Sequence, residues 1–191
     1  MVGAYIPLML SAPSSMLEHI SVLVNPLLPI PTNPALLTTQ PGVYQTPAQD
    51  CEDVTDHAIK AGYRHVDSAT VYKNEQPAAA GMLKSGIPRD QLFFTSKVSP
   101  RSINYKDAKA GIDESLKKTG LDYIDLYLLH APYGGKEGRL GAWRALVEAA
   151  KDGKIRSYGV SNYGVHHLEE LEEWQKVSIT STFTAAGLRK Y

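Results

Sequence analysis

Four side chains that could together protonate a carbonyl group stand near the ends of successive predicted strands. Asp67, Lys97 and His130 each end a predicted strand, and Tyr72 follows the first of them in a loop. A phenol has a pKa of about 10, and a neighbouring ammonium lowers it, so Lys97 could activate Tyr72 as a general acid. Asp67 would keep Lys97 charged, and His130 would orient the carbonyl oxygen. The set contains no nucleophile and suits carbonyl reduction by hydride from a cofactor.

These positions require elements that bring several strand ends together. From about residue 48 the hydrophobic pattern predicts helices alternating strictly with strands, which favours a parallel sheet with helical crossovers. No Gly-x-Gly-x-x-Gly follows a predicted strand, so a (β/α) barrel is favoured over a doubly wound sheet. Active-site groups of such barrels follow the C-terminal ends of strands. The predicted helices cover 49–61, 75–85, 105–119, 141–151 and 166–175, and the strands cover 63–67, 92–97, 123–130 and 154–160.

Composition limits the classes of partner. The 191 residues include 20 acidic and 20 basic side chains and predict one barrel domain. Because no basic patch is visible, we expect no nucleic-acid partner. No apolar run approaches the roughly 20 residues of a membrane helix, and the start lacks a basic leader region, so we expect no membrane partner and a cytoplasmic location. A weak targeting segment within 1–34 is the alternative. The single cysteine, Cys51, fits a reducing compartment.

Four motifs, spread over about residues 42–175, resemble those of the aldo-keto reductase family. They are 62–69 with 72–75, 94–98, 121–130 with Pro132, and 153–162. The resemblance implies a (β/α)₈ barrel and the cofactor NADP(H). It also implies an NADP(H)-dependent oxidoreductase that reduces an aldehyde or ketone to an alcohol, with small aldehydes, sugars, keto esters and ketosteroid-like compounds all open as substrates.

The resemblance assigns catalytic roles. Asp67, Tyr72, Lys97 and His130 stand at the positions of the family's catalytic tetrad, with Tyr72 as the proton donor. Asp67 is also expected to contribute to the cofactor site.

The resemblance assigns binding roles as well. Ser161 and Asn162 stand where the family binds the nicotinamide carboxamide. The residues Gly42, Val43 and Tyr44 occupy the place of the family's Gly-Thr-Trp, so Tyr44 stands where the family has tryptophan. Tyr44 would therefore line the substrate pocket with His130, and Tyr133 is a further candidate for its lining.

The match covers only part of a barrel. A complete (β/α)₈ barrel needs about 250 residues, and this chain offers four strands and a candidate first strand near 36–44, which contains Pro41. We therefore expect a partial barrel of four to five βα units over 35–176. It would follow an irregular Pro-rich arm at 1–34 and precede a divergent tail at 177–191. The family's next strand, its nicotinamide-stacking aromatic residue and its basic 2′-phosphate loop have no counterpart in that tail.

Two functional hypotheses follow. In one, the chain is an active reductase, alone or completed by a partner chain. In the other, it is a C-terminally truncated isoform or remnant that retains the tetrad without turnover. Two open parallel edges and an uncovered interior would also favour self-association.

Other interpretations concern single residues. Outside the motif context, Asp67 and Lys97 would more often form a structural ion pair. A metal-dependent barrel hydrolase could use His65, Asp67 and His130. However, no further ligands are visible at later strand ends, so we predict no metal and assign His65 a structural place in its strand.

Overall fold

One six-stranded sheet organises the part of the chain that the structure describes. The computed structural model describes residues 5–6, 20–23 and 42–174. The strands run in the order β1-β2-β6-β5-β4-β3, and β3 to β6 are parallel to one another. This confirms the predicted parallel sheet. The strands are β1 (Tyr5–Ile6), β2 (Ile20–Leu23), β3 (His65–Asp67), β4 (Phe93–Val98), β5 (Ile124–Leu129) and β6 (Ile155–Ser161).

Helices alternate with the parallel strands, as the hydrophobic pattern predicted. One helix precedes β3, one lies between each pair of successive parallel strands, and one follows β6. They are α1 (Ala48–Lys60), α2 (Glu75–Lys84), α3 (Tyr105–Thr119), α4 (Gly135–Lys151) and α5 at residues 165–174.

Helix α3 shows why the local pattern predicts its bounds. The Asn104 side chain caps its start by accepting a hydrogen bond from the Asp107 N–H at 2.9 Å. Gly120 ends it in the left-handed conformation, with φ of 68°. The buried residues between them recur every three or four positions, which is the spacing of one helix face: Ala108, Ile112, Ser115 and Thr119.

Helix α4 begins at Gly135, earlier than the predicted start at Gly141. Its first turns contact the segment before α3: a Cβ at Gly138 would lie 2.6 Å from the Ile103 carbonyl oxygen. Glycine permits this close approach but is a poor helix former. The glycines that the packing requires therefore hid the first turns of the helix from the sequence pattern.

The core lies on both faces of the parallel strands. Every residue of β4 and β5 is buried, as expected for parallel strands that are covered on both faces. Phe94 and Val98 belong to the main core formed with the helices, whereas Phe93 packs in a separate cluster with Leu126 and Leu128. This alternation along β4 follows the period of two of a pleated strand.

The N-terminal segment corrects one expectation. We predicted an irregular arm at 1–34, but β2 pairs antiparallel with β6, in the register Ile20↔Ser161 to Leu23↔Tyr158, and β1 pairs with β2. The run from Ile20 to Leu23 is rich in strand-forming residues, and β6 offers it unpaired backbone groups. The expectation of an open parallel edge at β6 is therefore wrong. The rest of 1–34 and the tail at 177–191 lie outside the described residues.

The structure describes only the last residues of the candidate first strand near 36–44. Gly42 forms an isolated parallel bridge with Asp67, and the Val43 N–H donates to the Asp67 carbonyl at 3.0 Å. Residues 36–41 lie outside the described residues.

None of the helices in the described ranges combines the length and apolar character needed to cross a bilayer.

Candidate active site

The C-terminal ends of the four parallel strands meet at one edge of the sheet. Asp67 ends β3, Lys97 is the penultimate residue of β4, His130 directly follows β5, and Ser161 ends β6. Strands β4 and β5 are in register at Lys97↔Leu128, and β5 and β6 at Leu129↔Val160. The parallel register thus brings together the strand-end residues that the sequence predicted to converge.

Asp67 and Lys97 form a buried ion pair. The Lys97 Nζ donates a short hydrogen bond to Asp67 Oδ1 and a second one, at 3.2 Å, to the Ser68 carbonyl oxygen. Lys97 is 0% exposed and Asp67 is 8% exposed. Burial raises the pKa of the Asp67 carboxyl, and the Lys97 charge opposes that rise. The pair fixes the position of the ammonium within the site.

Tyr72 lies at the end of a short 3₁₀ helix, Thr70–Tyr72, in the loop after β3. The Thr70 hydroxyl donates to the Lys97 carbonyl oxygen at 3.0 Å, which attaches this helix to β4. The Lys97 Nζ lies 5.2 Å from the centroid of the Tyr72 ring. The ammonium therefore faces both the Asp67 carboxylate and the phenol ring.

His130 completes the convergence. Its ring meets the Tyr72 ring edge-on, with centroids 5.6 Å apart. Burial and the nearby Lys97 charge lower the pKa of His130 to about 4, so the imidazole is neutral at pH 7. Within the described residues, its buried Nδ1 has no hydrogen-bond partner. A neutral imidazole has one N–H donor and one acceptor nitrogen, so His130 can offer a hydrogen bond without carrying charge.

The predicted cofactor residues lie beside His130. Ser161 is fully buried, and the Asn162 amide donates to the His130 carbonyl oxygen at 2.9 Å and to the Ser161 hydroxyl at 3.1 Å. Asn162 has φ of 61°, a left-handed conformation that asparagine adopts more readily than most residues. This backbone turn places the amide beside the end of β5.

The two predicted substrate residues differ in their contacts. The Tyr44 ring lies 5.0 Å from the Tyr72 ring and is 59% exposed, so it forms an aromatic rim next to the phenol. Tyr133 is 62% exposed on the loop between β5 and α4. Its role as a pocket residue stays a prediction.

Sequence reasoning missed the part played by Asn74. This side chain is fully buried; its amide donates to the carbonyl oxygens of Val43 at 2.8 Å and Thr46 at 3.1 Å, and its Oδ1 accepts from the Ser68 hydroxyl at 2.9 Å. Asn74 thereby connects the turn at residues 43–46, which contains Tyr44, with the loop that carries Tyr72. Its place in the motif at 72–75 was the only signal in the sequence.

His65 has the structural place that we predicted. Its ring is buried, lies edge-on to Phe93 and shares a hydrogen bond with the Thr95 hydroxyl at 2.8 Å. Burial lowers the pKa of His65 to about 3. The described ranges contain no group of three or more His, Cys, Asp or Glu side chains arranged to hold a metal ion. The metal-dependent hydrolase alternative therefore has no candidate set of metal ligands within the described ranges.

A cavity of about 570 Å³ lies beside the first residues of α1 and α2. Its lining includes Thr70, Lys73 and Glu75 but none of the four tetrad residues. The cavity is therefore distinct from the cluster that these four residues form.

Comparison with known proteins agrees with this geometry. The Aldo/keto reductase family model matches residues 37–182. The chain is 51% identical over 114 residues to a glyoxal reductase of Bacillus subtilis, covering 60% of this chain and 41% of that protein. It is 43% identical over 114 residues to a 9,11-endoperoxide prostaglandin H2 reductase of Trypanosoma cruzi, covering 60% of this chain and 40% of that protein.

Solved structures share the fold. An aldo/keto reductase from Brucella melitensis superposes with a TM-score of 0.68 at 38% identity, over 70% of this chain and 52% of that one. A Bombyx mori aldo-keto reductase in complex with NADP gives a TM-score of 0.58 at 31% identity, over 64% and 45%. The chain thus spans about half the length of these relatives, and its fold is the corresponding part of a (β/α)₈ barrel. The chain belongs to the aldo-keto reductase family.

Proposed function

We propose that this chain reduces a small aldehyde or ketone to an alcohol with NADP(H), and that Tyr72 is the general acid. The observation that carries the proposal is the placement of one buried ammonium, that of Lys97, between the Asp67 carboxylate and the Tyr72 ring. The names of two relatives, a glyoxal reductase and an endoperoxide reductase, and the NADP-bound Bombyx mori structure support it.

The proton for the product comes from Tyr72. As the carbonyl oxygen gains negative charge, the phenol transfers its proton to that oxygen and becomes a phenolate. A cation 5.2 Å from the ring centroid stabilises the phenolate. Because Lys97 is buried, solvent screens this interaction weakly. Asp67 holds the ammonium in place throughout.

His130 orients the substrate. Its ring stands across the Tyr72 ring at 82°, and the imidazole is neutral at pH 7 because its pKa is about 4. A neutral imidazole N–H donates a hydrogen bond to the carbonyl oxygen without competing with Tyr72 as the proton source. The exposed Tyr44 ring beside Tyr72 supplies an apolar wall for the substrate, and Tyr133 is proposed for the same rim.

The residues present fit the nicotinamide end of NADP(H). The Ser161 hydroxyl and the Asn162 amide lie at the end of β6, next to His130, and a carboxamide requires this mixture of donors and acceptors. A bound reduced nicotinamide supplies the hydride that adds to the carbonyl carbon. Asp67, whose carboxylate is held by Lys97, would border the same space.

The second candidate is a chain that keeps the tetrad without turnover. The chain spans about half the length of its relatives, and the titration below distinguishes the two candidates. A cytoplasmic location and association through the β3 edge remain part of the proposal. In the described residues, that edge carries only the bridge to Gly42.

Titration of NADPH into the 191-residue chain tests the proposal, with calorimetry and fluorescence quenching as readouts. We expect saturable binding, and consumption of NADPH when a small aldehyde such as glyoxal is added. Binding without consumption would establish the second candidate. Absence of binding would overturn the cofactor assignment.

A further inference from the structure

A buried carboxylate next to the candidate acid has no part in the proposed chemistry. Glu75, the first residue of α2, is 3% exposed. Its Oε1 accepts hydrogen bonds from the Ser96 hydroxyl at 2.6 Å and from the Ser115 hydroxyl at 2.7 Å. The Ser115 hydroxyl is also hydrogen-bonded to the Tyr127 hydroxyl at 2.8 Å. The Glu75 Oε1 thus connects α2 directly with β4 and α3, and through the Ser115 hydroxyl with β5.

Such a carboxylate is costly to bury. No cation lies within ion-pair distance of Glu75 among residues 42–174, and the Lys118 charge acts on it only from farther away. Burial of a carboxyl group is unfavourable unless hydrogen bonds compensate for lost hydration. Two short bonds from hydroxyl groups to the same oxygen are the compensation that the structure provides. An apolar side chain would fill this place at lower cost, so the carboxyl group serves a purpose other than filling the core.

The position of Glu75 in the chain indicates that purpose. It lies three residues after Tyr72, and Ser96, which donates to it, directly precedes Lys97. The Thr70 hydroxyl attaches the other end of the same segment to the Lys97 carbonyl. The segment that carries the phenol is therefore tied to β4 on both sides of Tyr72.

We propose that Glu75 is a positioning residue, whose carboxyl group sets the distance between the Tyr72 phenol and the Lys97 ammonium. It acts through Ser96 and does not itself touch the substrate. Its value for catalysis rests on the proposed function, but the positioning itself is measurable without cofactor or turnover.

The test follows the phenol of Tyr72 directly. The full chain, which has 11 tyrosines, is labelled with carbon-13 at tyrosine Cζ, and pH titration by NMR follows the ionisation of the Tyr72 phenol. The Tyr72→Phe variant identifies the Tyr72 signal. Tyr44, Lys97 and His130 are the titratable groups shown facing its ring, and His130, with a pKa of about 4, is uncharged throughout this range. Tyr44→Phe is therefore made in every protein that is titrated, so that the Tyr44 phenol does not contribute to the midpoint.

Two replacements of Glu75 separate its hydrogen bonds from its charge. Glu75→Gln and Glu75→Ala are both uncharged, but only glutamine keeps an oxygen that can accept from both hydroxyls. We expect the Tyr72 midpoint in Glu75→Ala to lie about half a pH unit or more above that in Glu75→Gln, because the phenol moves away from the ammonium. Equal midpoints in the two variants would overturn the proposal.

Two serine variants give the matched control and decide the matter if Glu75→Ala does not fold. Ser96→Ala removes the bond next to Lys97, whereas Ser115→Ala removes the bond to α3 and leaves the first in place. We expect only Ser96→Ala to raise the Tyr72 midpoint. Equal shifts in both variants would reduce Glu75 to a general packing role and overturn the proposal.

Failure of the proposed function has a different signature. If the chain neither binds NADPH nor consumes it, the midpoints of the four variants still measure the positioning of Tyr72. If Tyr72 in the unmodified chain titrates like an exposed tyrosine, activation by Lys97 is wrong, while the comparison between variants still tests Glu75.

Discussion

The Nζ atom of Lys97 lies 5.2 Å from the centroid of the Tyr72 ring while it donates a hydrogen bond to Asp67. Lys97 belongs to β4 and Tyr72 to the loop after β3, so the relationship depends on the parallel pairing of these two strands. The Lys97 ammonium therefore contributes both to the stability of the fold and to the proposed proton transfer, so its removal should lower both stability and turnover.

Replacement of Lys97 by methionine leaves the Asp67 carboxylate buried without its cation. Loss of one partner of a buried ion pair costs about 3–5 kcal/mol, so urea unfolding should show a large fall in the free energy of unfolding. The double variant Asp67→Asn/Lys97→Met should recover much of that loss. If Lys97→Met alone is as stable as the original chain, the ion pair is not the buried contact described above.

The fold should also depend on pH through its buried histidines. The pKa values of His130 and His65 are lowered to about 4 and about 3, whereas an unfolded histidine has a pKa of about 6.5. Below about pH 6.5 the unfolded chain therefore binds protons that the folded chain does not bind. Stability should fall as the pH falls from about 6.5 toward 4.

The histidine effect has a specific control. The variant His65→Gln/His130→Gln cannot take up these protons, so its free energy of unfolding should change less between pH 7 and pH 5 than that of the original chain. Urea titrations at the two pH values measure the difference. Identical pH dependence of the two proteins would show that these rings are not held neutral by burial.

Two helical glycines, one in α4 and one in α3, should respond in opposite directions to replacement by alanine. A Cβ at Gly138 would lie 2.6 Å from the Ile103 carbonyl, so Gly138→Ala should destabilise the chain by about 1–3 kcal/mol. Gly111 lies within α3, where an added Cβ would meet nothing within 4 Å, and Gly111→Ala should stabilise by about 0.5–1 kcal/mol. Thermal unfolding of both variants measures this, and a stable Gly138→Ala protein would contradict the close contact.

Asn74 should stabilise the fold through the hydrogen bonds that its amide group donates, more than through the volume of its side chain. Asn74→Asp is nearly isosteric but cannot donate to the Val43 and Thr46 carbonyls. Because this would leave buried carbonyls facing a carboxylate, we expect a loss of about 2–3 kcal/mol in the free energy of unfolding. Ser68→Ala removes one hydroxyl bond to the same side chain and should cost less. A larger loss in Ser68→Ala would contradict this ranking.

The sequence predicted the parts of the site that local patterns encode. Each predicted strand follows a helix that ends at a glycine, and this strict alternation places Asp67, Lys97 and His130 at one edge of a parallel sheet. Tyr72 could be added because its motif is specific. The bounds of α3 were predictable since its cap, its buried face and its terminal glycine are all local signals.

The remaining features depend on contacts between distant residues. Glu75 meets Ser115, 40 positions away, and no periodicity reveals such a hydrogen bond. The pairing of β2 with β6 joins residues far apart in the chain, and the short apolar run at Ile20 lies among prolines that indicated irregular structure. The start of α4 was hidden because its packing against Ile103 requires glycine.

The most direct test of the central claim compares the original chain with Tyr72→Phe in NADPH consumption with a small aldehyde. Tyr63→Phe, at an exposed tyrosine before β3, is the matched control. We predict that Tyr72→Phe lowers turnover by about 100-fold or more and retains NADPH binding, because only the proton donor is removed. Tyr63→Phe should behave like the original chain. Undiminished turnover in Tyr72→Phe would contradict the assignment of Tyr72 as the general acid.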